Sequence, residues 1–195
     1  MEGISMSNLT FGYAITGSFC TFEKSFKQLE KLVDMGIGTQ VIMSYNAHGM
    51  DTRFGKARDF IERAKALTGN EVISTITDAE PIGPKKMFDL LIVSPCTGNT
   101  LGKIASGIYD TPVTLAVKSH LRNMRPVLIG VSTNDALRIS AKSIGTLLAY
   151  RHFFFIPMKQ DDFEKKPFSV VCDFEKTVPA AFAALEGRQL EPILI

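Results

Sequence analysis

The sequence predicts a single-domain α/β protein with a doubly wound, mostly parallel sheet. Strand-like apolar runs alternate with segments of helical periodicity, the order that folds into parallel strands joined by helices. Two of the runs, 89–94 and 126–131, are apolar at nearly every position, which is typical of strands buried on both faces of a parallel sheet. The 195 residues, 45% of them hydrophobic, suffice for one well-filled core, so we expect one domain over 1–195.

Strands and amphipathic helices alternate in the amino-terminal part of the chain. Phe22, Phe26 and Leu29 recur at the spacing of one helical face, and the glycines at 36 and 38 end that helix. A polar segment, 44–53, is expected to be a loop. The predicted strands are 9–15, 40–43 and 72–76, and the predicted helices are 22–35 and 54–67.

The remaining residues repeat this alternation. The apolar run at 153–156 is expected to be the last strand, and the tail at 190–195 is expected to pack on a neighbour or on the domain surface. The other predicted strands are 89–94 and 126–131, and the predicted helices are 99–108, 113–123, 136–150 and 178–185.

Composition disfavours several classes of partner. Lys and Arg total 22 against 20 for Asp and Glu, and a net charge of +2 gives no bulk attraction to nucleic acid or to a membrane surface. Residues 1–8 lack the regions of a signal peptide and no apolar run reaches the roughly 20 residues of a membrane span, so we expect a cytoplasmic protein. Three widely spaced cysteines fit neither a disulfide framework nor a zinc site, and no metal is expected.

The loops at one edge of the predicted sheet are the expected place for a ligand. Open α/β sheets bind ligands at the carboxyl ends of their strands, near the point where the strand order reverses. Right-handed crossovers place the loops after Ile15, Met43, Ser94 and Val131 together on that edge. Binding and catalytic side chains are therefore expected in these four loops.

The first of these loops contains Thr16, Gly17 and Ser18. It lacks the Lys-Ser/Thr pair of a Walker loop and the G-x-G-x-x-G of a dinucleotide fingerprint, so ATP or GTP hydrolysis and NAD binding by this chain are disfavoured. The N–H groups at the start of the next helix and the hydroxyls of Thr16, Ser18 and Thr21 are suited to hold one phosphate, with Ser44 completing the shell. The alternative is that Ser18 or Thr21 merely caps the helix.

The second loop, residues 95–100, reads PCTGNT and crowds polar atoms onto the end of a buried strand. Thr97 or Asn99 is suited to cap the next helix, but capping does not account for the whole string. With the K-x-A-x-G-x-x-D pattern of residues 103–110 after it, the loop resembles the signature of a flavoprotein family that includes phosphopantothenoylcysteine decarboxylases, peptidyl-cysteine decarboxylases and flavin prenyltransferases. This resemblance implies a Rossmann-like flavoprotein fold.

Within that family the resemblance becomes closer to one branch, the dipicolinate synthase B subunits of spore-forming bacteria. The similar segments include 51–56, 80–86, 121–126, 132–137, 160–162 and 165–167. The resemblance implies an oxidoreductase subunit that forms dipicolinate from a cyclic dihydro- or hydroxytetrahydro-dicarboxylate of the lysine pathway, in the mother cell during sporulation. It also implies a partner A subunit that carries NADP, an FMN site in this chain, and a homo-oligomer of three or more copies.

The resemblance also implies roles for single residues. The first loop and Ser44 would hold the flavin phosphate, the PCTGNT loop would face the flavin ring or the substrate, and Ser132 with Thr133 would close the site. The residues expected to bind the cofactor are Thr16, Gly17, Ser18, Ser44, Cys96, Thr97, Asn99, Thr100, Ser132 and Thr133.

Substrate binding and catalysis require further groups. A guanidinium forms paired hydrogen bonds with a planar carboxylate, so Arg53 is the first candidate for a dicarboxylate substrate, followed by Lys103. Aromatisation of a six-membered ring needs a base and a stabiliser of the developing anion, and His48, Asp51 and Asn99 are the candidates. The alternative for Lys103 and for His48 is plain exposure to solvent.

The chain departs from the wider family in ways that bear on the reaction. The cysteine decarboxylases of the family carry a catalytic His at a spacing that falls near Pro81 here, where no His stands, so cysteine decarboxylation is disfavoured. An FMN-binding decarboxylase or prenyltransferase-like flavoprotein stays an alternative, and so does a scaffold subunit with an emptied flavin site. His120, between Lys118 and Arg122, is expected on the surface.

Overall fold

Five parallel strands and one antiparallel hairpin make up the sheet of the computed structural model, which describes residues 8–195. The parallel strands are β1 (Thr10–Ile15), β2 (Gly38–Met43), β3 (Leu90–Cys96), β4 (Val127–Thr133) and β5 (Phe153–Phe155). They are ordered β2-β1-β3-β4-β5. The predicted mostly parallel, doubly wound α/β sheet is confirmed. The expectation that residues 1–8 carry no signal peptide falls on a segment of which the structure describes only Asn8.

Helices cover both faces of this sheet. They are α1 (Phe22–Asp34), α2 (Tyr45–Gly49), α3 (Ala57–Thr68), α4 (Ile76–Ala79), α5 (Gly98–Ala105), α6 (Pro112–Leu121), α7 (Ile139–Leu148) and α8 (Thr177–Leu185). Successive strand residues point to opposite faces. On β3, Leu90 and Ile92 therefore join a core with α1 and α8, and Leu91 and Val93 join a second core with α5 and α6. Within residues 8–195 no helix is long and apolar enough to cross a membrane.

The strand order reverses between β1 and β3, and the loops at their carboxyl ends lie side by side. The N–H of Thr16, directly after β1, donates to the carbonyl of Pro95 near the end of β3 at 3.2 Å. The N–H of Ser44, directly after β2, donates to the carbonyl of Ile15 at 3.0 Å. The loops after β1, β2 and β3 thus meet on one edge of the sheet, as predicted.

The prediction of a last strand at 153–156 is wrong, because an antiparallel hairpin follows it. The hairpin consists of β6 (Met158–Asp162) and β7 (Lys166–Cys172). Its sequence is charged and exposed over most of its length, so it lacks the apolar alternation that marks a half-buried strand. Burial is confined to the ends farthest from the turn, at Met158 of β6 and at Ser169, Val170 and Cys172 of β7.

Strand β4 carries two different partners along its outer edge. Its first residues, 127–129, pair with β5 in parallel, and Ser132 and Thr133 pair with Val171 and Val170 of β7 in antiparallel fashion. Gly130 stands between the two ladders, where an added Cβ would lie 2.5 Å from the Ser94 hydroxyl oxygen. The hairpin is therefore anchored to the parallel sheet next to the carboxyl end of β4.

Residues 72–76 do not form the predicted strand. Ile73 alone pairs, in one parallel bridge with Ile42. The side chain of Thr75 accepts a hydrogen bond from the N–H of Asp78 and thereby starts the short helix α4. The helix cap ends the extended segment after Ile73.

The predicted loop at 44–53 contains a helix, and the helix predicted from residue 54 begins later. The Ser44 hydroxyl accepts from the Ala47 N–H at 3.3 Å and caps α2. Thr52 and Gly55 exchange two backbone hydrogen bonds in a tight turn, and Gly55 has φ +145°, a value that favours glycine. Helix α3 accordingly starts at Ala57, whose N–H donates to the Asp51 carboxylate.

The prediction that His120 lies on the surface is also wrong. Its side chain is buried on the inner face of α6, and Nε2 lies 2.9 Å from the carbonyl oxygen of Pro126. Burial lowers the pKa of His120 to about 4. Lys118 and Arg122 on either side of it are more open to solvent, as an amphipathic helix requires.

The carboxyl-terminal tail packs on the domain's own hairpin. The N–H of Met158 donates to the Ile193 carbonyl at 2.9 Å, and the N–H of Ile195 donates to the Met158 carbonyl at 3.1 Å. Of the two predicted locations for the tail, the domain surface is the one observed.

Candidate functional site

A cleft of about 890 Å³ lies at the carboxyl edge of the sheet, between the loops after β1, β3 and β4 and the hairpin. A volume of this size is ordinary for a small-molecule site. Residues from five chain segments line it: Gly17, Ser18, Phe19, Cys20, Thr21, Lys24, Phe54, Thr97, Gly98, Asn99, Ser132, Thr133, Asn134, Asp135, Asp161, Lys166, Ser169, Val170 and Val171.

Thr16 joins the first two loops beneath the cleft. Its buried hydroxyl donates to the Pro95 carbonyl at 2.8 Å and accepts from the Thr97 N–H at 2.9 Å. The hydroxyl is thereby committed to protein partners. Thr16 fixes the distance between the first loop and the PCTGNT loop.

Hydrogen-bond donors collect on the side of the cleft formed by the first loop. The N–H groups of Gly17, Phe19 and Cys20 bond to no residue in the described part of the chain. The hydroxyls of Ser18 and Ser132 lie 2.8 Å apart, and neither Ser18 nor Thr21 caps the following helix through its side chain. The Thr21 hydroxyl donates to the Ser18 carbonyl and lies 3.5 Å from the Ser132 hydroxyl, so when Ser132 donates to Ser18 the Ser18 hydroxyl keeps its proton for a ligand.

Lys24 adds a positive charge to this side. It lies in the first turn of α1, lines the cleft, and pairs with no carboxylate among residues 8–195. The other lysine of the cleft, Lys166, is paired with Asp161 at 2.7 Å. The first-loop side of the cleft therefore suits an anion.

The PCTGNT loop forms the start of α5. The Thr97 hydroxyl accepts from the Thr100 N–H at 3.4 Å and caps the helix, as one of the two predictions for this loop had it. Asn99 is exposed at the cleft, and its amide bonds to no described residue. A free amide that offers both donors and an acceptor is available there to a ligand.

A carboxylate stands where β4 ends. Asp135 Oδ1 accepts hydrogen bonds from the hydroxyls of Thr133, at 2.6 Å, and Ser140, at 2.8 Å. All three oxygens converge on Gly98, where an added Cβ would lie 2.7 Å from each of them. Glycine is required at this position because the start of α5 packs directly on the cluster.

The structure brings six of the predicted cofactor residues to the cleft and places three behind its wall. Those at the cleft are Gly17, Ser18, Thr97, Asn99, Ser132 and Thr133. Thr16, Cys96 and Thr100 are buried behind it. The Cys96 thiol lies in the second core, where burial strongly raises its pKa.

The other predicted residues do not line the cleft of this chain. Ser44 caps α2, His48 lies at the end of that helix, and Asp51 accepts from the Ala57 N–H at 2.9 Å. The Arg53 guanidinium stacks at 4.8 Å on the ring of Phe54, which does reach the cleft. Lys103 pairs with Asp110 at 2.7 Å, within the K-x-A-x-G-x-x-D pattern. The roles assigned to these five residues stay predictions.

Sequence reasoning missed several residues of the cleft. Lys24 sits among other charged residues of an amphipathic helix, and nothing in that pattern separates it from a solvated lysine. Residues 161–171 reach the cleft through the hairpin, which was not predicted. Asp135 stands in the segment 132–137 that the family resemblance includes, but the capping and spacing patterns give it no role.

Comparison with known proteins shows which family this chain resembles. The family model described as Flavoprotein matches residues 3–181. The chain belongs to the flavoprotein family. This flavoprotein is 39% identical to the B subunit of dipicolinate synthase from Bacillus subtilis (strain 168) over 191 residues, which make up 98% of this chain and 96% of that protein. The resemblance drawn from the PCTGNT loop and its companion segments is confirmed.

Solved structures agree with this relationship. The crystal structure of the dipicolinate synthase B subunit from Bacillus halodurans superposes on this flavoprotein with a TM-score of 0.90 at 35% identity, covering 98% of both chains. DmrB of Burkholderia xenovorans in complex with FMN shares the fold, with a TM-score of 0.62 at 18% identity over 76% of this chain and 87% of that chain. The predicted Rossmann-like flavoprotein fold is therefore confirmed.

Proposed function

We propose that this flavoprotein is the B subunit of a dipicolinate synthase. With a nicotinamide-binding A subunit it forms dipicolinate from a cyclic dihydro- or hydroxytetrahydro-dicarboxylate, in the mother cell of a sporulating bacterium. One observation carries the proposal: likeness to a dipicolinate synthase B subunit extends over 98% of the chain and includes every loop that builds the cleft.

The division of labour between two subunits suits this chain. Forming an aromatic pyridine ring from its dihydro form removes two hydrogens, so an acceptor is needed. The first loop lacks the glycine pattern that holds a dinucleotide. We assign NADP, as the final acceptor, to the A subunit and classify the pair as an oxidoreductase.

The residues of the cleft fit FMN. Three amides without a protein partner among the described residues, the hydroxyl pair of Ser18 and Ser132, and Lys24 form a donor set that suits a phosphate. Val170, Val171 and Phe54 offer apolar surface to a planar ring. FMN is named in the complexes of two proteins of the same fold, DmrB and AnUbiX.

In this assignment the first loop would hold the FMN phosphate, and FMN would supply hydride transfer. Asn99 is the residue of the PCTGNT loop that is free to contact the substrate, because Thr97 is used as a cap and Thr100 is buried. Its amide is suited to hold a substrate carboxylate or carbonyl in place. Ser132, bonded to Ser18 of the first loop, and Thr133 also border the cleft.

We further propose a homo-oligomer of three or more copies. Proteins of the same fold are named as a cubic cage and as a dodecamer. His48, Asp51 and Arg53 lie outside the cleft of their own chain, in the segment around α2. An assembly that places this segment against the cleft of the next copy would restore the predicted roles of base and carboxylate partner.

The test is reconstitution with the A subunit. We expect Asn99→Ala to abolish dipicolinate formation while the two subunits still assemble, because the free amide of the PCTGNT loop is lost. Asn8→Ala is the matched control, since Asn8 is exposed and precedes β1 at the opposite edge of the sheet. Unchanged turnover in Asn99→Ala would remove this residue from the site.

The cofactor is tested on the purified subunit. A yellow protein with flavin absorbance, or a colourless one that is stabilised by added FMN, supports the FMN site. A colourless protein whose melting temperature does not respond to FMN would overturn it. Turnover by the reconstituted pair without any flavin would leave the assignment to dipicolinate synthase standing and remove the cofactor.

A further inference from the structure

The cleft presents different hydrogen-bonding groups at its two sides. The first-loop side is rich in donors: the amides of Gly17, Phe19 and Cys20, and the ammonium group of Lys24. The opposite side, where β4 ends, holds Thr133 and the Asp135 carboxylate. A ligand that satisfies both sides has an anionic group at one end and an N–H or O–H group at the other.

The direction of one hydrogen bond decides what Thr133 can do. A hydroxyl has a single proton to donate and two lone pairs. Asp135 is a carboxylate and can only accept, so the 2.6 Å bond between them uses the Thr133 proton. Towards the cleft Thr133 then offers only lone pairs. The residue acts as an acceptor of hydrogen bonds from whatever lies beside it.

The surrounding packing holds this arrangement in place. Asp135 Oδ1 also accepts from the Ser140 hydroxyl, which is buried, and the Arg138 N–H donates to the Asp135 carbonyl at 2.9 Å. Gly98 packs on the same oxygens. Neither the carboxylate nor the Thr133 hydroxyl can rotate without breaking a bond or striking the start of α5.

We infer that Asp135 is a specificity-determining residue that makes Thr133 an obligate acceptor, so that the cleft selects a ring bearing an O–H or N–H donor. This inference rests on the proposed function. A hydroxylated cyclic dicarboxylate, or a dihydro isomer with a ring N–H, carries such a donor, whereas the carboxylates and ring nitrogen of aromatic dipicolinate only accept. The site then favours the substrate over the product and promotes product release.

Two stable pyridine dicarboxylates test the inference. Dipicolinate and 4-hydroxypyridine-2,6-dicarboxylate differ by one oxygen, and in either tautomer the second compound carries one O–H or N–H donor that the first lacks. Titration calorimetry on the full chain, with FMN present if it binds, gives the ratio of the two affinities. We expect the wild type to prefer the hydroxylated compound about five- to tenfold, the contribution of one net hydrogen bond.

Two variants remove the acceptor in different ways. In Asp135→Asn the new amide can donate to Thr133, which frees the Thr133 proton for the cleft, and we expect the preference to vanish or reverse. Thr133→Val removes the acceptor with little change of shape and should also abolish the preference, even if Asp135→Asn fails to fold. Asp161→Asn is the matched control, because Asp161 lines the cleft but bonds to Lys166 rather than to Thr133.

The outcomes separate this inference from the proposed function. Equal affinities in the wild type, or a preference that survives in both variants, would overturn the inference and leave the substrate class intact. Binding of neither compound would contradict the substrate class and the inference together. If the variants weaken FMN binding but leave the ratio of the two affinities unchanged, the group that donates to Thr133 belongs to the flavin ring. The proposed selection of substrate over product is then refuted.

Discussion

Gly98→Ala is the substitution whose effect on the free energy of unfolding follows most directly from the structure. An added Cβ would lie 2.7 Å from Asp135 Oδ1, Thr133 Oγ1 and Ser140 Oγ, well inside ordinary contact. Relief requires that at least one hydroxyl leave the carboxylate, which costs roughly 1.5–3 kcal/mol for a hydrogen bond to a charged group. Alanine returns about 0.5–1 kcal/mol through its higher helix propensity. We expect a net loss of about 1–2 kcal/mol in the free energy of unfolding.

The same helix contains the control. Gly102 also lies in α5, but an added Cβ there would meet only the Ser143 hydroxyl oxygen at 3.9 Å. Gly102→Ala should therefore raise the free energy of unfolding by about 0.5–1 kcal/mol. Urea denaturation of both variants measures the two values. If Gly98→Ala is as stable as Gly102→Ala, the cluster around Asp135 is not packed as described.

Two other predictions concern titration and thiol chemistry. Folding lowers the pKa of His120 from 6.5 to about 4, so the free energy of unfolding is full above pH 6.5 and declines by about 3 kcal/mol as the pH drops to 4. Urea denaturation across this pH range measures the decline. The same decline in His120→Gln would contradict the prediction. Of the cysteines, Cys20 is exposed and should react with a thiol reagent in the native protein, more slowly once FMN or dipicolinate fills the cleft. Cys96 and Cys172 are buried and should react only after unfolding; rapid native labelling of three thiols would refute this.

The sequence was sufficient for the parallel part of the fold. Runs such as 89–94 and 126–131 need their apolar residues on both faces, and that requirement is visible without a structure. The hairpin β6–β7 was not predicted because its tip is solvated and charged. Its strands pair through the backbone and do not show the alternating apolar pattern from which a strand is recognised. Apart from Met158, its buried residues begin only at Ser169, too late to define a strand from periodicity.

The sequence predicts those residues of the candidate site that lie in loops directly after the strands of the sheet. The loops containing Gly17 and Asn99 follow strands, so the sheet alone brings them together. Lys24 and Asp135 could not be found in this way. The position of Lys24 depends on how far α1 turns before it meets the cleft, and the bond between Asp135 and Thr133 is a matter of side-chain rotation. Neither the rotation of α1 nor the rotation of these side chains can be predicted from residue spacing or composition.

Because β4 pairs with β5 and with β7 at different residues, one part of this protein can change in evolution while another is kept. Residues 127–129 support the parallel sheet through β5, while Ser132 and Thr133 support the wall of the cleft through β7. The two attachments meet on one strand but share no residue. The mostly exposed part of the hairpin, residues 159–168, can therefore change in length and charge to suit a new ligand, whereas its buried residues Met158, Val170 and Cys172 belong to the two cores and must be kept.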